Sequence, residues 1–261
     1  MYTINMKNLA LTSFCCVLFS MAQAQVQFIA HRGASYLAPE NTIASDKLAW
    51  ELGTDAVELD IHLSKDNKIM SIHDSNTKRT SGQDFKVKET DSAILRKLDV
   101  GSFKDAKYKG EKIPFLEEVL QTIPSGKKLV IELKSGSNLF PQLKEIIKKS
   151  GKLSQLIFIC FDWETILEAK HIYPKNSCYW LCGNKEALMK KMKEVTASGI
   201  DGLDLDYSVI DQEVMTEANK YKLDVVAYTV DNPEEAKRLI SLGVKGITTN
   251  RPDWLKEQVS K

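Results

Sequence analysis

The chain has 261 residues, 36 of them Lys or Arg and 35 Asp or Glu, for a formal net charge of +1. That near-balance, with no basic block anywhere in the chain, argues against nucleic acid or an anionic membrane as the main partner. The length suits one sizeable core and lies within the single-domain range of α/β barrels.

The first 24 residues read as a signal peptide. Lys7 precedes the apolar run LALTSFCCVLFSMA, and Ala22-Gln23-Ala24 offers a small-residue cleavage site. The run is too short for a comfortable membrane span, and Ser13 and Phe14 are not the small pair expected before a lipidated Cys15 or Cys16. The expectation is export to the periplasm or the medium, with cleavage and no stable membrane insertion. The mature chain, residues 25–261, would carry 35 basic and 35 acidic residues, since Lys7 is the one charge removed. It keeps three cysteines, Cys160, Cys178 and Cys182. An odd number cannot all pair, and buried small hydrophobes are the expected role.

Behind the leader, VQFIA reads as a buried strand that ends abruptly on His31-Arg32, two residues costly to bury. Helix TIASDKLAWELG follows, then strand TDAVELDIHL. Strand side chains alternate, so Val57, Leu59, Ile61 and Leu63 share one face, while Glu58, Asp60 and His62 share the other. The apolar face suits packing under helices and the acidic face must point into a barrel mouth. KIMSIH is an extra strand closing on His73, and residues 74–113 are mostly polar. So long an insertion in a barrel reads as a lid or small subdomain over the mouth, and the periodicity of DSAILRKLDVGSF predicts that it is folded. After helix FLEEVLQTI comes strand KKLVIELK, which repeats the two-faced pattern, with Val130, Glu132 and Lys134 together.

From there strands QLIFICF, SCYWLC, DGLDLDY, LDVVAYTV and KGITT alternate with helices LFPQLKEIIKKSG, WETILEAKHIY, KEALMKKMKEVTASG, DQEVMTEANKY and NPEEAKRLISLG. Such βα alternation implies a parallel sheet with helical crossovers, and eight units fit a closed (β/α)8 TIM barrel with an insertion after the second unit. The competitor is an open doubly wound sheet, whose ligand would sit at one switch point. Polar residues gathered at several strand ends favour the barrel.

Glu58, Asp60 and Glu132 would repel one another and take up protons unless a cation joined them. An all-oxygen set suits one hard divalent ion, Mg²⁺ or Ca²⁺, better than Zn²⁺. The alternative is a plain ion network with Arg32 and Lys134. His31 and His73 close strands at the same end of the barrel, and two imidazoles beside a cation supply an acid and a base that titrate near neutrality. Asp74 could reach an imidazole. Arg32 offers a fixed fork to a phosphate oxyanion and Lys134 a point charge.

The segments AHRGASYLAPENT, GTDAVELDIHLSKDNKIMSIHD, IPFLEEVL, LVIELK, AYTVD and GVKGITTNRP, in this order across residues 25–261, resemble the glycerophosphodiester phosphodiesterase family. The resemblance implies a barrel enzyme that uses a divalent cation to cleave glycerophosphodiesters to glycerol 3-phosphate and an alcohol. It implies His31 and His73 as the acid and base pair, Arg32 as a phosphate ligand, and Glu58, Asp60 and Glu132 as metal ligands. Lys134 matches a position near the phosphate and Glu40 one at the site edge, where Glu40 could instead cap the next helix. Tyr228 stands where relatives often carry tryptophan, and its match places it in the glycerol pocket. Asn250 stands where aspartate is commoner, and Cys160 replaces a frequent serine.

A related barrel phosphodiesterase acting on lysophospholipids, sphingolipids or phosphoinositides is the nearest alternative and would want an apolar rim. A catalytically silent binding barrel would have lost a histidine or a metal ligand, and none is lost. The sequence assigns neither histidine as the base, names no leaving alcohol and sets no oligomeric state.

Overall fold

β-branched runs alternate with helical segments, several of which open on Asp or Asn, and nine strands and ten α-helices result among the described residues, 26–261, of the computed structural model. The expected signal peptide lies outside the described residues. The strands are β1 (Gln27–Ala30), β2 (Ala56–Leu63), β3 (Ile69–Ser71), β4 (Lys128–Leu133), β5 (Leu156–Cys160), β6 (Cys178–Cys182), β7 (Gly202–Asp206), β8 (Asp224–Tyr228) and β9 (Gly246–Thr249). All but β3 run parallel, and pairing of β1 with both β2 and β9 closes them into an eight-stranded barrel. β3 lies antiparallel on the last three residues of β2 and extends that strand beyond the ring.

Eight helices cover the barrel: α1 (Ile43–Glu51), α4 (Leu116–Thr122), α5 (Phe140–Ser150), α6 (Trp163–Ile172), α7 (Lys185–Ala197), α8 (Gln212–Lys220), α9 (Pro233–Leu242) and α10 (Pro252–Val259). Asp162, Asn184, Asp211 and Asn232 accept backbone N–H bonds at the starts of α6, α7, α8 and α9, so each chain reversal is set by a side chain just past a strand end. α10 is not among the sequence-predicted helices. Pro252 in its first turn and the packed Trp254, Leu255 and Val259 are its signals, and it closes the helical ring against β1.

Alternation sorts the side chains as expected. Val57, Leu59 and Ile61 of β2 and Leu129, Ile131 and Leu133 of β4 join the large core between strands and helices. Ile29, Ala56, Val130, Ile159, Tyr179, Leu181 and Val226 fill the barrel interior. The segment 74–113 has a core of its own: Val87, Leu95, Leu98, Val100 and Ile113 pack on Met70 and Ile72, and the segment carries the short helices α2 (Lys78–Ser81) and α3 (Ser92–Leu95). No helix among the described residues is long and apolar enough to cross a membrane. The three cysteines are free and buried.

One core residue breaks the pattern. Asp46 of α1 is fully buried and neither carboxyl oxygen has a hydrogen-bond partner, so burial pushes its pKa up to about 8. Below pH 4 the folded and unfolded chains both hold this proton. Between there and pH 8 only the folded chain does, so stability falls as pH rises, by at most about 1.4 kcal/mol per pH unit. Asp46→Asn is expected to remove that loss. Its melting temperature should exceed the parent's by more at pH 7 than at pH 5, and an equal difference at both would refute the assignment.

Candidate active site

His31 follows β1 in a left-handed turn, with φ +54° at Arg32 and +79° at Gly33. A Cβ at Gly33 would lie 2.4 Å from Ser45 Oγ, so only glycine lets this turn sit against α1. The Arg32 amide donates to Glu58 Oε2 at 3.0 Å, which docks the turn on β2.

The turn opens on a cavity of about 200 Å³ at the C-terminal ends of the barrel strands. His31, Arg32, Glu58, His73, Glu132, Lys134 and Tyr228 all line it. Ile159 of β5, Leu181 of β6, Asp204 of β7 and Thr248 of β9 are also in the wall, so every barrel strand contributes to it. That distribution belongs to a closed barrel and not to the single switch point of an open sheet.

Asp60 stands opposite Glu132 in the β2–β4 register. Glu58, Asp60 and Glu132 each bring a carboxylate oxygen within 4.8 Å of the others, and all three are buried. Burial, then Asp60 and Glu132, raises Glu58 well above the carboxylate range. Burial and Asp60 raise Glu132 to about 7. Asp60 goes the other way: burial opposes its charge, but Lys134 and then Arg32 outweigh that and hold its pKa low. Burial and mutual repulsion therefore oppose charge on two members of the trio, Glu58 and Glu132. Oxygen-only donors, close and short of compensating charge, are a set that can hold a hard metal ion.

Lys134 Nζ lies 2.8 Å from Glu132 and 3.3 Å from Asp60. Arg32 places Nε 3.5 Å from Asp60 and donates from Nη1 to Glu40 at 2.9 Å. The two histidines have different partners. His31 Nδ1 meets the Asn250 amide oxygen at 2.8 Å, and burial followed by the Arg32 charge lowers its pKa to about 4. His73 Nδ1 meets the Asp74 carboxylate at 2.7 Å. Hydrogen bonds from Arg79, against some burial, and from His73 hold Asp74 down at about 2.

A family model for the glycerophosphoryl diester phosphodiesterase family matches residues 31–254. The chain belongs to that family. A glycerophosphodiester phosphodiesterase of Caldanaerobacter subterraneus is 35% identical over 240 residues, covering 89% of this chain and 97% of its own. One from Bacillus subtilis is 32% identical, over 86% of this chain and 83% of its own. The solved structure of an Oleispira antarctica phosphodiesterase in complex with the product sn-glycerol-3-phosphate superposes with a TM-score of 0.84 at 28% identity, covering 90% of this chain and 97% of that one.

In this family member Glu40 does not line the cavity. Arg79 reaches it through Nη1 at 2.6 Å and Nη2 at 2.8 Å, with Arg32 on the same carboxylate, and Arg79 also binds Asp74 at 2.8 Å. The capping role that the sequence left open for Glu40 falls to Thr42, which forms a capping box with Ser45. Glu40 instead ties Arg32 to the inserted segment and, through Arg79 and Asp74, to His73. No sequence signal singled out Arg79, because its partners lie 39 and five residues away.

Two further residues of this phosphodiesterase-family site escaped the sequence reading. Asn41 donates from Nδ2 to Asp60 Oδ2 at 2.9 Å and accepts the Asp60 amide at 3.1 Å, which fixes that carboxylate. Asp204 is buried in the cavity wall with Oδ1 unpartnered, and burial followed by Glu132 pushes it up to about 8. Its signal was the alternation Leu203-Asp204-Leu205, with an acid on the inward face. Beside Lys134 a larger groove of about 820 Å³ opens, with Lys65, Asn76, Lys86 and Asn138 in its wall.

Proposed function

We propose that this enzyme hydrolyses glycerophosphodiesters to glycerol 3-phosphate and a free alcohol, with Mg²⁺ or Ca²⁺ as the bound cation. One observation carries the reading: His31 and His73 line a single small cavity of the barrel together with Glu58 and Glu132, whose carboxylates converge with that of the buried Asp60. Glu58, Asp60 and Glu132 would hold the cation, which when bound supplies Lewis-acid charge to the phosphate and acidifies the attacking hydroxyl.

The histidine partners support a division of labour. Burial of His31 and the neighbouring Arg32 charge disfavour an imidazolium and outweigh the hydrogen bond with Asn250, so its free ring nitrogen accepts the nucleophile's proton. His73 is held at Nδ1 by the Asp74 carboxylate, which leaves its other ring nitrogen to deliver a proton to the leaving oxygen. Arg32 and Lys134 stabilise the charge that develops on the phosphate oxygens. The polar groove beside Lys134 suits a water-soluble leaving alcohol. The apolar leader supports export, with a mature amino terminus at Gln25 as its check.

The test is product analysis on glycerophosphocholine, glycerophosphoethanolamine, glycerophosphoglycerol and glycerophosphoinositol. Glycerol 3-phosphate and the free headgroup alcohol are expected from at least one. No cleavage of any, or glycerol with a phosphorylated headgroup, would overturn the reading.

Tyr228 provides a second check. It lines the cavity beside Phe161, their rings edge to face with centroids 6.1 Å apart. A wall residue that holds glycerol equally in ground and transition states affects KM. Tyr228→Trp is therefore expected to change KM across the panel more than kcat. A large kcat loss at constant KM would place Tyr228 in the chemical step.

A further inference from the structure

The hydrogen bonds behind His31 form a one-way chain. Asp231, exposed at the end of β8, accepts from Thr249 Oγ1 at 2.8 Å, from the Asn250 amide at 2.9 Å and from Asn250 Nδ2 at 2.6 Å. A carboxylate only accepts such bonds, so it draws the NH2 group of Asn250 towards itself. The amide oxygen is thereby turned to the other side, where it accepts from Ser35 Oγ at 2.9 Å and meets His31 Nδ1 at 2.8 Å. An amide oxygen also only accepts, so Nδ1 must carry the proton and Nε2 must keep its lone pair.

We propose that Asp231 and Asn250 are a positioning pair: Asp231 sets which way round the Asn250 amide lies, and that orientation fixes His31 as the tautomer with a free Nε2. The functional part of this inference rests on His31 acting as the base, but the tautomer itself does not. Asp231→Asn would put two NH2 groups against each other, and the remedy is reversal of the Asn250 amide. Its NH2 would then face Nδ1 and force the proton to Nε2, removing the acceptor. The double exchange Asn250→Asp with Asp231→Asn restores an acceptor beside Nδ1 and keeps the hydrogen bond between the pair. It also moves the negative charge next to an imidazole that otherwise faces Arg32, Asp60 and Glu40.

The chain has four histidines, so the ring nitrogens of His31 can be assigned by ¹⁵N NMR with His31→Gln as the reference. The parent is expected to show protonated Nδ1, and Asp231→Asn protonated Nε2 with kcat lowered roughly 10- to 100-fold, as for loss of a group that orients a catalytic histidine. The double exchange should show protonated Nδ1 again, recover most of kcat and shift the acidic limb of the profile, which His31 sets as the base, upward on the pH axis. Protonated Nε2 in the parent overturns the proposal without reference to any variant's folding. So does a folded Asp231→Asn protein with unchanged tautomer and kcat, or a double exchange no better than the single change. An absence of phosphodiesterase activity in the parent would refute the proposed function while leaving the tautomer result to stand or fall by itself.

Discussion

His31→Ala and His73→Ala are each expected to lower kcat by about 10² to 10⁴, the range for losing a general base or acid. Both side chains line the cavity and neither contributes to a hydrophobic core, so folding should survive. The double variant should be far less than multiplicatively worse, because groups that serve one proton-transfer cycle act as a unit. A nitrophenyl ester separates the roles, since its leaving group departs without a proton. It should rescue His73→Ala, whose missing group faced Asp74, and leave His31→Ala impaired. Rescue of His31→Ala alone would exchange the two assignments. Rescue of neither folded, metal-loaded protein would mean that the histidines hold phosphate or order the cation's surroundings instead.

Glu58→Gln and Glu132→Gln are expected to weaken cation binding by orders of magnitude. Each removes one carboxylate from a buried set of three. The readout is thermal unfolding with and without added Mg²⁺ or Ca²⁺. A ligand at 100 times its dissociation constant stabilises the fold by about 2.7 kcal/mol, and this gain should vanish in both variants. In chelator the variants should melt no lower than the parent, since burial and neighbouring carboxylates already disfavour charge at Glu58 and Glu132. A parent-like gain on adding the ion would place the cation elsewhere.

The barrel was legible because its signals are local. Alternation along TDAVELDIHL and KKLVIELK separated the helix-facing side chains from those facing the mouth, and a capping Asp or Asn opened one helix after another. α10 was passed over because its start, Arg251-Pro252, continues a segment read for its strand and turn. Of the residues that line the cavity, His31, Glu132 and Lys134 were legible at or just past strand ends and Glu58 on the inward face of its strand. What stayed hidden is what the closure of the ring creates. His31 meets Asn250 across 219 residues, and Arg79 meets Glu40 across 39. Asp204 needs the whole wall around it before its burial means anything. Glu40 shows the limit most plainly: its position next to a helix start allowed a cap, and only the folded insertion reveals the two arginines that claim it.

The central claim is that a cation joins Glu58, Asp60 and Glu132 and that phosphodiester cleavage depends on it. It is tested most directly by following glycerol 3-phosphate release from a cleaved diester after exhaustive chelation, then titrating Mg²⁺ or Ca²⁺ back. The account predicts no release in chelator and recovery at one cation per chain. Full release in excess chelator would contradict it.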